Sequence, residues 1–483
     1  MNPAFLVALR AALPPHTLLI EAEALRPYEC DGLSAYRQVP LAVCLPETLE
    51  QAREILKICR EHHVPVVARG AGTGLSGGAL PLADGVVLSL ARFNRILEID
   101  PDNRLARVQP GVRNLAISEA VAPLGLYYAP DPSSQIACSI GGNVAENSGG
   151  VHCLKYGLTV HNVLALKVLT MDGELLEIGA ASLDSPGYDL LALMTGSEGL
   201  LGVVVEVTVK LLVKPERAQV LLAAFASVET AGAAVAAIIA AGILPAGLEM
   251  MDNLSIRAAE DFVHAGYPVD AAAILLCELD GGNAEVSEQI MALREVLFAA
   301  GAVEVRTAED EAQRMKFWAG RKGAFPAVGR ISPDYYCMDG TIPRRHLARV
   351  LKRIGELSEH YGLRVANVFH AGDGNLHPLI LFDANQPGEM KQAEDFGSDI
   401  LRLCVEVGGT VTGEHGIGVE KLDASCSQFT AAELAQFHAI KAAFDPAGLL
   451  NPGKAVPTLH RCAEMGRMHV TGGELPFPEL PRF

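Results

Sequence analysis

Not one pair of the ten cysteines, scattered from Cys30 to Cys462, is spaced C-x-x-C. The chain therefore lacks an iron–sulfur ligand set, and reduced thiols in a cytoplasm are expected rather than a disulfide frame. Positive charge is in deficit, with 39 Lys and Arg against 57 Asp and Glu for a net −18. That imbalance opposes non-specific attraction to nucleic acid or to an anionic membrane surface, so no nucleic-acid partner is expected and an anionic ligand needs local positive charge or a metal. Long apolar runs are missing too. The most apolar stretch, "AGAAVAAIIAAGIL" at 231–244, is shorter than the roughly 18 residues that span a bilayer and reads as a buried helix. The first residues, "MNPAFLVALRAALPPH", show no basic region followed by an uninterrupted apolar stretch and a cleavage site, so export is not expected.

What is there describes an ordered globular protein of 483 residues, enough for two or three domains. Residues 1–35 read as a helical lead-in. Apolar positions at helical spacing in "ETLEQAREILKICREHH" (47–63) precede a buried strand, "VPVVA", and "RILEID" and "LARVQPG" read as a hairpin around "PDN". Strands continue to about residue 213, where "VKPERAQ" reads as a linker. Beyond it, strand–helix–strand appears twice, the pattern of a ferredoxin-like antiparallel sheet backed by helices, before a helical stretch at 386–446. The fold class is α+β.

Two glycine-rich loops carry candidate chemistry. "RGAGTGLSGGALP" (69–81) holds Gly72, Gly74 and Gly77 in G-x-G-x-x-G order, but Pro81 and a strand follow where a dinucleotide fold requires a crossover helix. What remains is a backbone able to converge N–H groups on an anion, with Thr73 and Ser76 as hydroxyl donors. A second polar glycine loop, "DPSSQIACSIGGNVAENSGG" (131–150), is suited to hold the other end of one long cofactor. "FHAGDGNLHP" (369–378) sets His370 and His377 seven positions apart. In a helix they would stand about 10 Å apart, too far for one ion. Gly372 and Gly374 instead favour a tight turn, and "TVTGEHGIGVEK" (410–421) offers Glu414 as a third ligand with His415 left as a base. Two imidazoles and a carboxylate suit Zn²⁺ or Mn²⁺. Arg321, in "FWAGRKGAF", is placed to fork onto a carboxylate.

With "YECDGLSAYR", "RISPDYYCMDGTIPRR", "NPGK" and "LHRCAEMGRMH" added to these motifs, the chain resembles, over nearly its whole length, the FAD-linked oxidases with the vanillyl-alcohol-oxidase type of flavin domain. The resemblance implies a two-part FAD-binding domain at 36–215, a ferredoxin-like substrate cap at 216–440, and C-terminal helices with a segment, 441–483, that returns to the flavin. It places Arg69, Gly70, Gly72, Thr73, Gly74, Ser76, Gly77 and Gly78 on the FAD pyrophosphate. Pro130, Asp131, Ser134, Cys138, Gly141, Gly142, Asn143, Ser148, Gly149 and Gly150 fall near the flavin ring, and Gly157, Glu198, Gly202 and Asn451 complete the cofactor set. His152 is a candidate for covalent flavin attachment. It implies His370, His377 and Glu414 as ligands of a divalent metal, His415 as base and Arg321 as carboxylate anchor. Cys337 stands where relatives acting on 2-hydroxyglutarate place a lysine, which favours a monocarboxylate.

The implied activity is oxidation of glycolate or a similar 2-hydroxy acid. The implied partners are an iron–sulfur electron-transfer subunit and a further flavin-domain subunit, on the inner face of the membrane. Alternatives are a D-lactate dehydrogenase built from the same parts, a metallohydrolase whose glycine loops bind a phosphorylated ligand, and a flavin-bearing subunit that is inactive alone.

Overall fold

The protein is described here by a computed structural model covering residues 3–182 and 187–458. The terminal motif "LHRCAEMGRMH" lies outside the described residues. The chain forms two compact units. The first takes the described residues up to Ser148, Leu158–Val213 and those from His415 on, and the second takes Gly149–Gly157 and Lys214–Glu414. Residues 415–440, grouped with the cap in the sequence reading, thus count with the first unit. The reason is packing. The helix Ala431–Phe444 lays Ile440 and Phe444 on a first-unit core, and Lys441 Nζ donates to Leu200 O at 2.7 Å. One cysteine departs from the expected reduced state: Cys426 is disulfide-bonded.

In the first unit, Val86–Ser89 lies between Ala42–Cys44 and Val66–Arg69, parallel to both. Parallel strands need a crossover, and Leu49–Glu61 supplies it. Thr48 caps this helix by accepting from Gln51 N, and the 3–4 spacing of Ala52, Ile55, Leu56 and Cys59 turns its apolar stripe inward. A second, five-stranded sheet is antiparallel throughout and contains the expected hairpin, Ile96–Asp100 against Leu105–Val108. Leu450 bridges to Val66 in parallel, so residues from the far end of the chain extend the first sheet beside the strand that feeds the first glycine loop.

The second unit carries a seven-stranded antiparallel sheet. Four strands, in the order Glu304–Thr307, Arg217–Phe225, Ala273–Gly281, Gly247–Asp252, reproduce the ferredoxin-like arrangement. The Ala-rich helix forms at Val228–Ala240 and is buried on one side. Val365–His370, Asn375–Phe382 and Asp334–Cys337 then extend the sheet from Gly247–Asp252.

Side chains alternate across a strand, so register decides which face each residue serves. Val220, Leu222, Ile274, Leu276, Met251, Ala366, Val368 and Leu379 form one apolar cluster on one face. By the same period of two, Glu278, Asp280, Glu249, His370, Asn375 and His377 point to that face as well. The three carboxylates are 1–5% exposed and each is partnered. Glu278 accepts from Arg314 Nη1 at 2.8 Å and Trp318 Nε1 at 2.5 Å, with His152 Nε2 at 3.2 Å. Asp280 takes Lys155 Nζ at 2.5 Å and Tyr156 OH at 2.7 Å. The short segment 149–157 is thereby strapped to the strand Ala273–Gly281.

Burial alone would raise the Glu278 carboxyl, but His152, Arg314 and Trp318 prevail and bring it down to about 2. Because this folded value lies below the ~4.3 of an unfolded glutamate, the group stabilises above that pH and loses its contribution as pH falls toward 2. Glu278→Gln is expected to cost about 3 kcal/mol at pH 7. Urea unfolding at pH 7, 5 and 3.5 checks this, with the gap to wild type narrowing at the lowest pH.

Candidate active site

The glycine loops of the first unit meet directly. A Cβ at Gly70 would stand 2.1 Å from Ser139 Oγ, the hydroxyl that caps the helix Ile140–Glu146 through Gly142 N. Arg69, at the end of its strand, donates Nη1 to Cys30 O at 2.7 Å and stacks over Tyr28. Asn114 ties the second loop together, its Nδ2 donating to Pro130 O and Asn143 Oδ1, both at 3.0 Å. Asn143 Nδ2 in turn reaches Cys138 Sγ at 3.4 Å. Ser148 O accepts from Thr159 Oγ1 at 2.8 Å.

The "NPGK" segment closes on the first loop. Asn451 Nδ2 donates to Gly78 O at 3.0 Å and Glu198 O at 2.7 Å, and Lys454 Nζ donates to Gly78 O at 3.0 Å and Asn451 Oδ1 at 2.7 Å. Burial lowers Lys454 to about 8 against the pull of Asp31, Glu198 and Glu146. Two of the expected cofactor residues are committed to the protein itself. The Glu198 carboxylate accepts Ile417 N and Gly418 N at 2.7 Å each, and a Cβ at Gly202 would press to 2.3 Å from Val168. Ser76 Oγ, fully buried, has no hydrogen-bond partner among the described residues.

In the second unit the histidine motif is a β-hairpin turn. His370 pairs with Asn375 and Val368 with His377, so the two histidines are diagonal neighbours on one face, their ring centroids 5.1 Å apart. Glu414 joins them: Oε1 lies 3.0 Å from His377 Nε2 and 3.4 Å from His370 Nε2, while Oε2 accepts from Gly149 N at 3.0 Å. His370, His377 and Glu414 are all buried and could share one ion. Asp339, fully buried, holds the Glu414 loop by accepting Thr412 Oγ1 at 2.6 Å, Gly413 N at 3.1 Å and Glu414 N at 3.2 Å. Gly413 is required there, since a Cβ would come within 2.3 Å of Asn375 Nδ2. His415 follows Glu414 directly and opens the closing segment of the first unit.

His370 Nδ1 lies 2.9 Å from Glu249 Oε1, and Arg321 Nε donates to Glu249 Oε2 at 2.8 Å with Nη2 2.6 Å from that oxygen. The expected carboxylate anchor and an expected ligand therefore share one carboxylate. Glu249, Asp339, Lys454 and Asn375, whose buried Oδ1 has no hydrogen-bond partner among the described residues, were not found in the sequence. The signal for Glu249 was a charge inside the apolar strand "GLEMMD". His152, the candidate for flavin attachment, faces Glu278 instead.

Electrostatics decide what the histidine cluster suits. Burial would lower both imidazoles, but Glu249 and Glu414 hold His370 well above its ordinary value, and Cys337 and Glu414 carry His377 to about 10. Burial would raise the carboxyls, yet the histidines hold Glu414 well below the usual range, and His370 with Arg321 keep Glu249 low. Two imidazoles and a carboxylate, buried with their donor atoms within 4.8 Å of one another, are a donor set that fits a divalent metal.

Residues 40–179 match the family profile described as FAD binding domain, and residues 214–455 match FAD linked oxidases, C-terminal domain. The chain belongs to the FAD-linked oxidase family, and is an FAD-linked oxidoreductase. Over 478 residues it is 69% identical to the Escherichia coli (strain K12) protein named glycolate oxidase subunit GlcD, covering 99% of this chain and 96% of that one. The Bacillus subtilis (strain 168) protein of the same name is 40% identical over 88% of this chain and 91% of its own. Among solved structures, p-cresol methylhydroxylase with substrate bound has a TM-score of 0.79 at 19% identity, covering 95% of this chain and 97% of that one. That likeness is one of fold, and the vanillyl-alcohol-oxidase type of architecture expected from the sequence is the one found. The first-unit residues fit FAD in that Ser76 Oγ is buried without a hydrogen-bond partner among the described residues and a Cβ at Gly74 would meet nothing nearer than Asp31 at 3.9 Å.

Two outcomes follow. Gly70→Ala, which forces the loops apart, is expected to lower flavin content, read as the ratio of absorbance near 450 nm to that at 280 nm in purified protein. Apparent affinity for a divalent metal is expected to climb between pH 6 and 8, with protons released on binding, because a histidine must be neutral to ligate. Calorimetry in two buffers of different ionisation enthalpy counts them.

Proposed function

We propose that this protein oxidises glycolate, or a closely related 2-hydroxy acid, to glyoxylate, with electrons passing through FAD to partner subunits rather than to NAD. The observation that carries this reading is the convergence of His370, His377 and Glu414 beside an Arg321 steadied by Glu249. It gains weight from 69% identity to a protein named as a glycolate oxidase subunit.

Bound FAD supplies a two-electron acceptor for the hydride leaving C2 of the substrate. A divalent metal, Zn²⁺ or Mn²⁺, held by His370, His377 and Glu414, supplies Lewis acidity that lowers the pKa of the substrate hydroxyl. The chain's own groups do the rest. A guanidinium has five donors, and those Arg321 does not spend on Glu249 bind the substrate carboxylate. A ring nitrogen of His415 takes the hydroxyl proton. One hydride and one proton leave the substrate in each turnover, which accounts for both electrons of the alcohol-to-aldehyde oxidation. Cys337, in place of a cation, favours a substrate with a single carboxylate.

In this reading residues 36–215 hold the flavin, 216–414 carry the metal ligands and the carboxylate anchor, and the described residues from His415 on belong with the flavin-holding unit. The absence of an iron–sulfur ligand set supports delivery of electrons to an iron–sulfur subunit of a glycolate oxidase complex that includes a further flavin-domain subunit. Among the described residues no helix is long and apolar enough to cross a membrane. Contact with the inner membrane, from the cytoplasmic side, would come through those partners.

The visible spectrum under anaerobic conditions tests this. Glycolate is expected to bleach the flavin band near about 450 nm, faster than D-lactate or D-2-hydroxyglutarate. His415→Ala with normal flavin content is expected to slow bleaching by about 10²–10⁴-fold. A flavin band unaffected by any of the three acids refutes the proposed substrate class.

A further inference from the structure

One buried carboxylate touches both a proposed metal ligand and the proposed carboxylate anchor. Glu249, 1% exposed, sits in the middle strand Gly247–Asp252 of the second-unit sheet, where register pairs Met250 with Phe369 and Met251 with Val368. One step further along the same antiparallel register, Glu249 faces His370. Its two oxygens serve different masters: Oε1 lies 2.9 Å from His370 Nδ1, and Oε2 accepts from Arg321 Nε at 2.8 Å.

We propose that Glu249 is a positioning residue that sets the metal ligand His370 and the carboxylate anchor Arg321 in one fixed relation through its two separate oxygens. The proposal rests on the metal and glycolate reading given above. It follows from what each partner requires. His370 ligates through Nε2 only if its proton stays on Nδ1, and an acceptor at Nδ1 holds it there. Arg321 can present a flat donor edge to a substrate only if its own plane is fixed, and a carboxylate in contact with Nε and Nη2 fixes it. A substrate bound by hydroxyl at the metal and by carboxylate at Arg321 spans about one carbon–carbon bond between those groups. The distance from His370 to Arg321 therefore selects a 2-hydroxy acid over a 3-hydroxy acid, and Glu249 sets it.

A carboxylate is the side chain of this shape that accepts on both oxygens. In Glu249→Gln the amide has one acceptor and one donor end. If the oxygen faces Arg321, the NH₂ faces Nδ1 and drives the His370 proton to Nε2, where it blocks the metal. If the amide turns over, its NH₂ meets the N–H groups of Arg321. Glu249→Asp keeps the charge but is one methylene too short to reach both partners.

The test is made on full-length, flavin-loaded protein, with Zn²⁺ and Mn²⁺ affinity measured by calorimetry and glycolate kinetics measured with a dye acceptor. Glu249→Gln is expected to weaken metal binding by roughly tenfold or more and to raise the KM for glycolate several-fold, with flavin absorbance retained. Glu249→Asp gives the same two shifts and serves if the glutamine variant does not fold. Metal affinity and KM both within twofold of wild type in either folded variant overturn the proposal. So does a change in one of them alone, because a shared carboxylate must move both. Wild-type protein that binds neither ion fails the metal reading itself, and this inference falls with it.

Discussion

Burying charge in a dry interior is costly unless each charge meets its counterpart, and the second unit buries several on one sheet face. Glu249, Glu278 and Asp280 all project from central strands of that sheet, on the side that otherwise packs Val220, Leu222, Ile274 and Leu276. They are only 1–5% exposed, so each must find a donor on a fixed element. The elements that supply those donors are the ones that build the site. Arg321 comes from the helix Glu311–Lys322, His370 from the hairpin Val365–His370 to Asn375–Phe382, and His152 with Lys155 from the segment 149–157.

The same device therefore has two uses. At Glu278 and Asp280 it secures a nine-residue segment that also buries Val151 in the core of the unit. At Glu249 it joins His370 and Arg321. Asp339 extends the logic to main chain, exchanging its charge for three N–H and O–H donors of the loop that presents Glu414. A carboxylate fixed by backbone amides costs no side-chain freedom on the partner's side, which suits a loop with glycines on both flanks of Glu414 and His415.

Much of this was legible in the sequence because it rests on local rules. The 3–4 spacing behind Thr48 gives its helix, strand–helix–strand repeats give the ferredoxin-like order, and the glycines of "HAGDGN" give the turn that unites two histidines. Register and long-range return were not legible. Glu249 gains its meaning only when Val365–His370 pairs beside it, a contact between residues separated by 121 positions. Asp339 and Lys454 likewise act across 75 and 376 positions. The division of the chain at Glu414 and His415 was invisible because both lie in one motif, and the motif reads as a single feature until the packing on either side is seen.

The first unit is assembled from three separated stretches of chain, and its sheet takes Leu450 against Val66 only after residues 214–414 have been made. On a ribosome, where domains usually fold in order of synthesis, this sequence inverts the order. The second unit is almost continuous and can consolidate while the parallel strands of the first still lack their last neighbour and the "NPGK" segment that closes on Gly78. The first glycine loop thus gains the Asn451 and Lys454 contacts to Gly78 only after the whole of the second unit has been translated.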